Sequence, residues 1–324
     1  MADKACRFAV ARTKALEVSL LSNQDIVDLL AAKDSESALG FLVERGWGNS
    51  ETGMDLQSIL KSESEKTWRE IQGMNMDMSI FAPLSYQRLY HNLTAAIKDV
   101  VIENNVSDHI YYRDTEISGA EMKRIISERD FYALPEHMRA TAKEALEVML
   151  HTKDGQLCDC IVDRGALEAM EKAASATGNK FLIDYVRSVV LVSNIRIALR
   201  AARSGRTREF LERAIAPIDL INTVRLKAAA AAGEEAVLEF LTEEGYAEAA
   251  EVARESNSAF ERWCDNTVIH TIKSQKYISE TPGPVIAYYL ARMNEIKTVR
   301  IIVTCKQNQV PYEDIKERVR EMYV

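Results

Sequence analysis

A chain of 324 residues with 47% hydrophobic and 28% charged side chains has enough apolar surface to exclude general disorder, and it exceeds what one core usually organises. Thirteen glycines and six prolines are too few for a turn-dense β sandwich or barrel, so helix is the expected secondary structure. Forty-one basic against 49 acidic residues, a net charge of −8, exclude a general nucleic-acid binder that must neutralise phosphates.

From Arg7 to Leu21 the apolar residues Phe8, Ala11, Ala15, Val18 and Leu21 recur at spacings of three and four, which predicts one buried helix face. Ser22 and Asn23 then stand as a polar cap before a second helix through Asp25, Ile26, Leu29 and Leu30. A third helix begins at Ser35-Glu36 and stops at Gly46. Near the other end, Pro284 suits a helix start, and the pattern that follows buries Ile286, Tyr289, Leu290 and Met293 while Arg292, Glu295 and Lys297 stay polar. That helix runs to Lys306, turns at Asn308 to Pro311, and gives way to a last helix from Glu313 to Val324. No stretch approaches the roughly eighteen apolar residues of a membrane span, and the first residues, with Asp3, Lys4 and Arg7, lack the apolar core of a secretory signal.

The chain matches itself at intervals near one hundred residues. Asn92-Leu93-Thr94-Ala95-Ala96-Ile97-Lys98 resembles Asn194-Ile195-Arg196-Ile197-Ala198-Leu199-Arg200 and then Thr298 to Val303; Asp163 and Asp265 repeat in the same way. Phe41 to Trp47 returns as Phe240 to Tyr246, and a weak middle copy is expected near Glu144 to Leu150. These matches predict three helical repeats over 1–115, 116–205 and 206–324, joined at the polar stretch from Ser107 to Glu116 and at Ser204-Gly205-Arg206.

Chemistry has few carriers in this sequence. No Gly-Lys pair exists for a phosphate loop, and Gly46-Trp47-Gly48 lacks the third glycine of a dinucleotide fingerprint. No glutamate precedes a histidine by three residues, so a di-iron site is missing. Glu147 and His151 read as a solvated pair, and Cys158 and Cys160, without a second close pair, as structural thiols rather than metal ligands. The five cysteines, Cys6, Cys158, Cys160, Cys264 and Cys305, are an odd number that fits free thiols in a reducing compartment. The glutamates from Glu234 to Glu251 read as a solvated face. No cofactor, no metal and no catalytic residue is expected.

The stretch from Gly283 to Ile302 and the two-helix ending resemble the carboxy terminus of the C subunit of V-type and A-type ATPases, the counterpart of the d subunit of the eukaryotic vacuolar enzyme. Ala11-Arg12 through Leu20-Leu21 match that family's opening helix, and Tyr90-His91-Asn92-Leu93 its first repeat; Thr94 departs from a lysine common there. The resemblance implies an all-α fold of three similar lobes forming a funnel with pseudo-threefold symmetry. It implies a non-catalytic rotor socket, peripheral on the cytoplasmic face of the membrane, between central stalk subunits D and F and the proteolipid ring. Rotation would serve proton or sodium transport, or ATP synthesis, with no membrane insertion and no nucleic-acid partner. Lys98, Arg196, Arg200 and Arg300 are the candidate interface residues. A free-standing cytosolic scaffold that binds other proteins, and an all-helical enzyme with an unrecognised pocket, are the competing classes.

Overall fold

The computed structural model describes residues 2–49, 51–102 and 110–324, so Ser107, His109 and the start of the expected first joint lie outside the described residues. The described residues form helices joined by turns, with no strand among them. They divide into two compact units, Met1–Met78 with Glu251–Val324, and Ser79–Ala250.

The first unit holds α1 (Ala2–Glu17), α2 (Asn23–Ala31), α3 (Ser35–Glu44) and α4 (Leu56–Gln72) from one end of the chain. From the other end come α14 (Asn257–Lys273), α15 (Gly283–Gln307) and α16 (Tyr312–Arg318); α4 and α1 pack along α15. Because α15 is surrounded, it is buried on nearly every side, and its inward positions Val299, Ile302 and Val303 meet Leu29, Leu42, Ile59 and Leu60 in one core. Ser22 caps α2 through a reciprocal box with Asp25, and Asp34 and Asp55 cap α3 and α4, so each start satisfies helix amides that have no partner within the helix.

The second unit holds α5 (Ala82–Ile102), α6 (Gly119–Glu128), α7 (Glu136–Thr152), α8 (Gly155–Thr177), α9 (Lys180–Arg203), α10 (Arg208–Ala214), α11 (Thr223–Ala232) and α12 (Glu234–Glu243). The last of the series, α13 (Ala247–Glu255), spans the division between the units. Here α8 packs along α5 and α7. Leu93, Ile97, Met122, Met138, Ala142, Cys158 and Val162 share its core. Gly165 on α8 is required by close approach, since a Cβ there would stand 2.4 Å from Thr141 Oγ1 on α7.

Three expectations need correction. The stripe predicted to be buried on α1 faces outward: Phe8 is 56% exposed and Ala11 and Ala15 are exposed too, while of the two members past the helix end at Glu17, Val18 is 86% exposed and only Leu21 is buried. Ala9, Val10 and Thr13 take the inner face instead. On α15, Arg292 and Glu295 are 4% and 1% exposed rather than solvated. The last helix ends at Arg318, and Val319 to Val324 follow it without helix, with Met322 and Tyr323 fully buried.

Candidate functional site

The self-similar segments carry a common device. Asn92 on α5 donates from Nδ2 to the Tyr112 carbonyl at 2.9 Å and accepts the Tyr112 amide on Oδ1 at 2.9 Å. Asn194 on α9 holds Ala216 by the same two bonds, 2.8 and 2.9 Å long. Asn294 on α15 donates to the Glu321 carbonyl at 3.0 Å, while Asn266 on α14 accepts the Glu321 amide. Asn92, Asn194 and Asn294 are all buried, and each ties a non-helical segment back onto a long helix, which satisfies the buried asparagine side chains and, at buried Ala216, backbone groups that would otherwise lie orphaned in the core. Helix starts follow the same order: Asp55, Asp154 and Ser256 cap α4, α8 and α14, the helices that precede α5, α9 and α15.

The clamps settle which residues correspond. Asn294 stands where the linear alignment of the repeats placed Thr298, one helical turn away, and Lys98, Arg200 and Arg300 each fall six residues after their asparagine. Arg196 therefore has no counterpart in Arg300. The structure brings Lys98 and Arg200 to one neighbourhood of the second unit, while Arg300 belongs to the first. Lys98 pairs with Asp159 of α8 at 2.5 Å. Nearby, the Asp163 carboxyl keeps an edge open to solvent but is pushed up to about 6 by the crowding of its surroundings and by Asp159, against the pull of His91, Lys98 and Arg200. Arg300 donates to Gln57 Oε1 on α4 at 2.9 Å, and Arg196 is half-buried on α9. Lys98 and Arg300 thus both reach the first turns of the helix packed alongside their own.

The Phe41 to Trp47 likeness is equally literal. Gly46 and Gly245 adopt positive φ of 80° and 90°, and the Trp47 and Tyr246 amides reach back to the Leu42 and Leu241 carbonyls at 2.9 and 2.7 Å. The stretch from Glu144 to Leu150 is helix interior and no such cap. The same closure is found instead at the end of α6, where Arg129 is left-handed and the Asp130 amide donates to the Ile125 carbonyl at 3.0 Å.

No group of three or more potential metal ligands assembles among the described residues. His151 Nδ1 lies 2.7 Å from the backbone carbonyl of Glu147, not from its carboxylate. Burial pushes the Cys158 and Cys160 thiols up to about 12, which leaves them unreactive at neutral pH. Glu234 pairs with Arg203, and Glu243 and Glu244 with Arg225, on a solvated surface.

Two charged assemblies in the first unit escaped sequence reasoning. Arg292 and Glu295 form an ion pair of 2.8 Å in the core; Glu295 Oε1 also accepts the Leu21 amide at 2.6 Å, and Arg292 donates to Ser19 Oγ at 2.8 Å. Burial pushes the Glu295 carboxyl up, with Arg292 and the Leu21 amide pulling it back. Both of its oxygens accept bonds, which is the geometry of a carboxylate. The second assembly docks the chain end. Asp265 binds Lys297 and Arg320 at 2.7 Å each, and Glu321 binds Lys273 and His270 at 2.7 and 2.9 Å. The spacing of Arg292 and Glu295, three apart on one helix face, was the available signal; their burial was not legible.

Fold and site together define an all-α protein built on long central helices, with charged side chains engaged in packing and no assembled catalytic constellation among its described residues. Residues 9–318 match the family described as the ATP synthase (C/AC39) subunit, and the chain belongs to that family, the C subunits of the V-type and A-type ATPases. It is 22% identical over 315 residues to the C subunit of the V-type sodium ATPase of Enterococcus hirae, with 95% of each chain covered. No described helix is long and apolar enough to cross a membrane.

Proposed function

We propose that this chain is the rotor socket of a V/A-type ATPase, a non-catalytic adapter on the cytoplasmic face of the membrane that couples central stalk subunits D and F to the proteolipid ring. The observation that carries this reading is the family match along nearly the whole chain, from residue 9 to 318. Torque transmission needs stiff packing and broad surfaces rather than convergent reactive groups, and interlocked long helices with buried polar clamps suit that work. Three lobes, divided near residues 115 and 205 and forming a funnel, are what membership of the family implies, and the recurrence of the asparagine clamp on α5, α9 and α15 supports the threefold repetition. Lys98, Arg196, Arg200 and Arg300 are proposed to contact neighbouring subunits, where charge sets register more than affinity.

The test is purification of the intact complex from membranes. The chain should accompany the stalk subunits and the ring, and the purified chain alone should hydrolyse no nucleotide. A chain that stays soluble after the membranes are washed would be a scaffold of another kind, and one that turned over nucleotide unaided would end the proposal.

A further inference from the structure

The outward stripe of α1 has nothing over it among the described residues. Phe8, Ala11 and Ala15 are all exposed along about 10 Å of helix, at 1.5 Å per residue, and Val18 in the turn that follows extends the exposed stripe, while the opposite face packs into the core. An amphipathic helix in a globular protein ordinarily keeps its apolar side inward; here the chain presents a second apolar ridge to solvent. Ala11 and Ala15, one turn apart between the larger Phe8 and Val18, leave a shallow saddle into which the ridge of another helix fits closely.

The border of the stripe states what that helix should carry. Arg12 follows Phe8 by one turn and lines a cavity of about 380 Å³ between α1, the loop before α4, and α4 itself. Lys66 and Arg69 line it too, against a single carboxylate, Glu70, already paired with Arg12. Lys66 also reaches the buried Glu63 and the Gly46 carbonyl, whereas Arg69, exposed on α4, meets only a backbone carbonyl at 3.4 Å among its described bonds. On the other side of the stripe stand Arg7 and Lys14, the latter already paired with Glu17 at 3.0 Å. In a chain of net charge −8, this face is basic.

We infer that the outer face of α1 with the adjoining cationic cavity is a docking surface for an amphipathic partner helix of about three turns, apolar along its ridge and acidic along its border. Its apolar side chains cover Phe8, Ala11, Ala15 and Val18, and a carboxylate on its border enters the cavity toward Arg69. This inference rests on the geometry of α1 and α4 and stands apart from the rotor reading; a chain that failed to purify with a stalk and ring would leave it intact.

The test uses the full chain and two synthetic helical peptides with the same leucine ridge, one bordered by glutamate and one by lysine, titrated by fluorescence anisotropy. The glutamate peptide should bind about tenfold tighter or more, with the preference fading at high salt. Phe8→Asp should abolish binding of both peptides, and Arg69→Glu should erase the preference between them. Both positions are exposed, and unchanged melting curves would show that the variants are folded. Equal binding of the two peptides, binding unaffected by either substitution, or capture by phosphatidylserine-containing vesicles without binding of the glutamate peptide would overturn the inference.

Discussion

Removing Arg292 should leave Glu295 as a carboxylate with no counter-charge in a core where it is 1% exposed. Breaking a buried pair from one side typically costs about 3–5 kcal/mol, because the survivor keeps its desolvation without compensation. Glu295 has one escape, which is to take up a proton. At pH 7.5 that costs about 4 kcal/mol, at 1.36 kcal/mol for each pH unit above its ordinary value of 4.5. At pH 5.5 it costs only about 1.4 kcal/mol by the same arithmetic. Arg292→Met should therefore destabilise the protein by about 3–5 kcal/mol at pH 7.5 and by roughly 2 kcal/mol less at pH 5.5. The sign follows from a folded-state value raised above the unfolded one: the stability is present below the unfolded value and is lost as pH rises. Urea unfolding followed by tryptophan fluorescence suits the question, since Trp47, Trp68 and Trp263 all belong to the first unit. Pairing Arg292→Met with Glu295→Leu should recover most of the loss, because an apolar pair carries no desolvation penalty. A single-variant penalty below about 1 kcal/mol, or one that does not shrink on acidification, would refute the reasoning.

Asn194→Ala should cost about 2–4 kcal/mol, read by thermal or urea unfolding, since it orphans both the amide and the carbonyl of buried Ala216. Gly165→Ala should lose about 1 kcal/mol, overpacking against Thr141 outweighing better helix propensity; adding Thr141→Ala should turn the loss into a gain. Burial alone would raise the Asp265 carboxyl, but Lys297 and Arg320 hold it below its ordinary value, and Lys273 and His270 likewise outweigh burial at Glu321. Their contribution is whole above those ordinary values of 3.8 and 4.5 and is lost as pH falls through the depressed ones, so hydrogen exchange should show the segment from Val319 loosening first on acidification. In membrane vesicles, deleting Glu313 to Val324 should uncouple ATP hydrolysis from ion pumping or prevent assembly, since it removes α16 and the docked end that Asp265 and Asn294 hold; unaltered pumping would contradict the proposed socket.

Helix identity, the capped helix ends and the family were legible in the linear pattern, because they depend on residues close together: Ser22 with Asp25, Gly46 after α3, Pro284 at the start of α15; the uncapped ends after Glu17 and Arg318 were not. Which face of a helix is buried depends on what packs against it. The α1 stripe had a sound apolar period, yet Ala9, Val10 and Thr13 proved better matched to the crowded inner side, and the pattern had no means to rank two apolar faces. The asparagine register slipped by one turn because a four-residue shift on a helix keeps apolar positions almost in phase; only the clamp to Glu321 distinguishes Asn294 from Thr298. Arg292 and Glu295 show the general limit. Their charges predict solvent, and only neighbours supplied from Ser19, Leu21 and Trp47, remote in the chain, offset the cost of burying them. Local chemistry thus determined the elements and the lineage, while partners brought from hundreds of residues away decided what each element buries and what it leaves open.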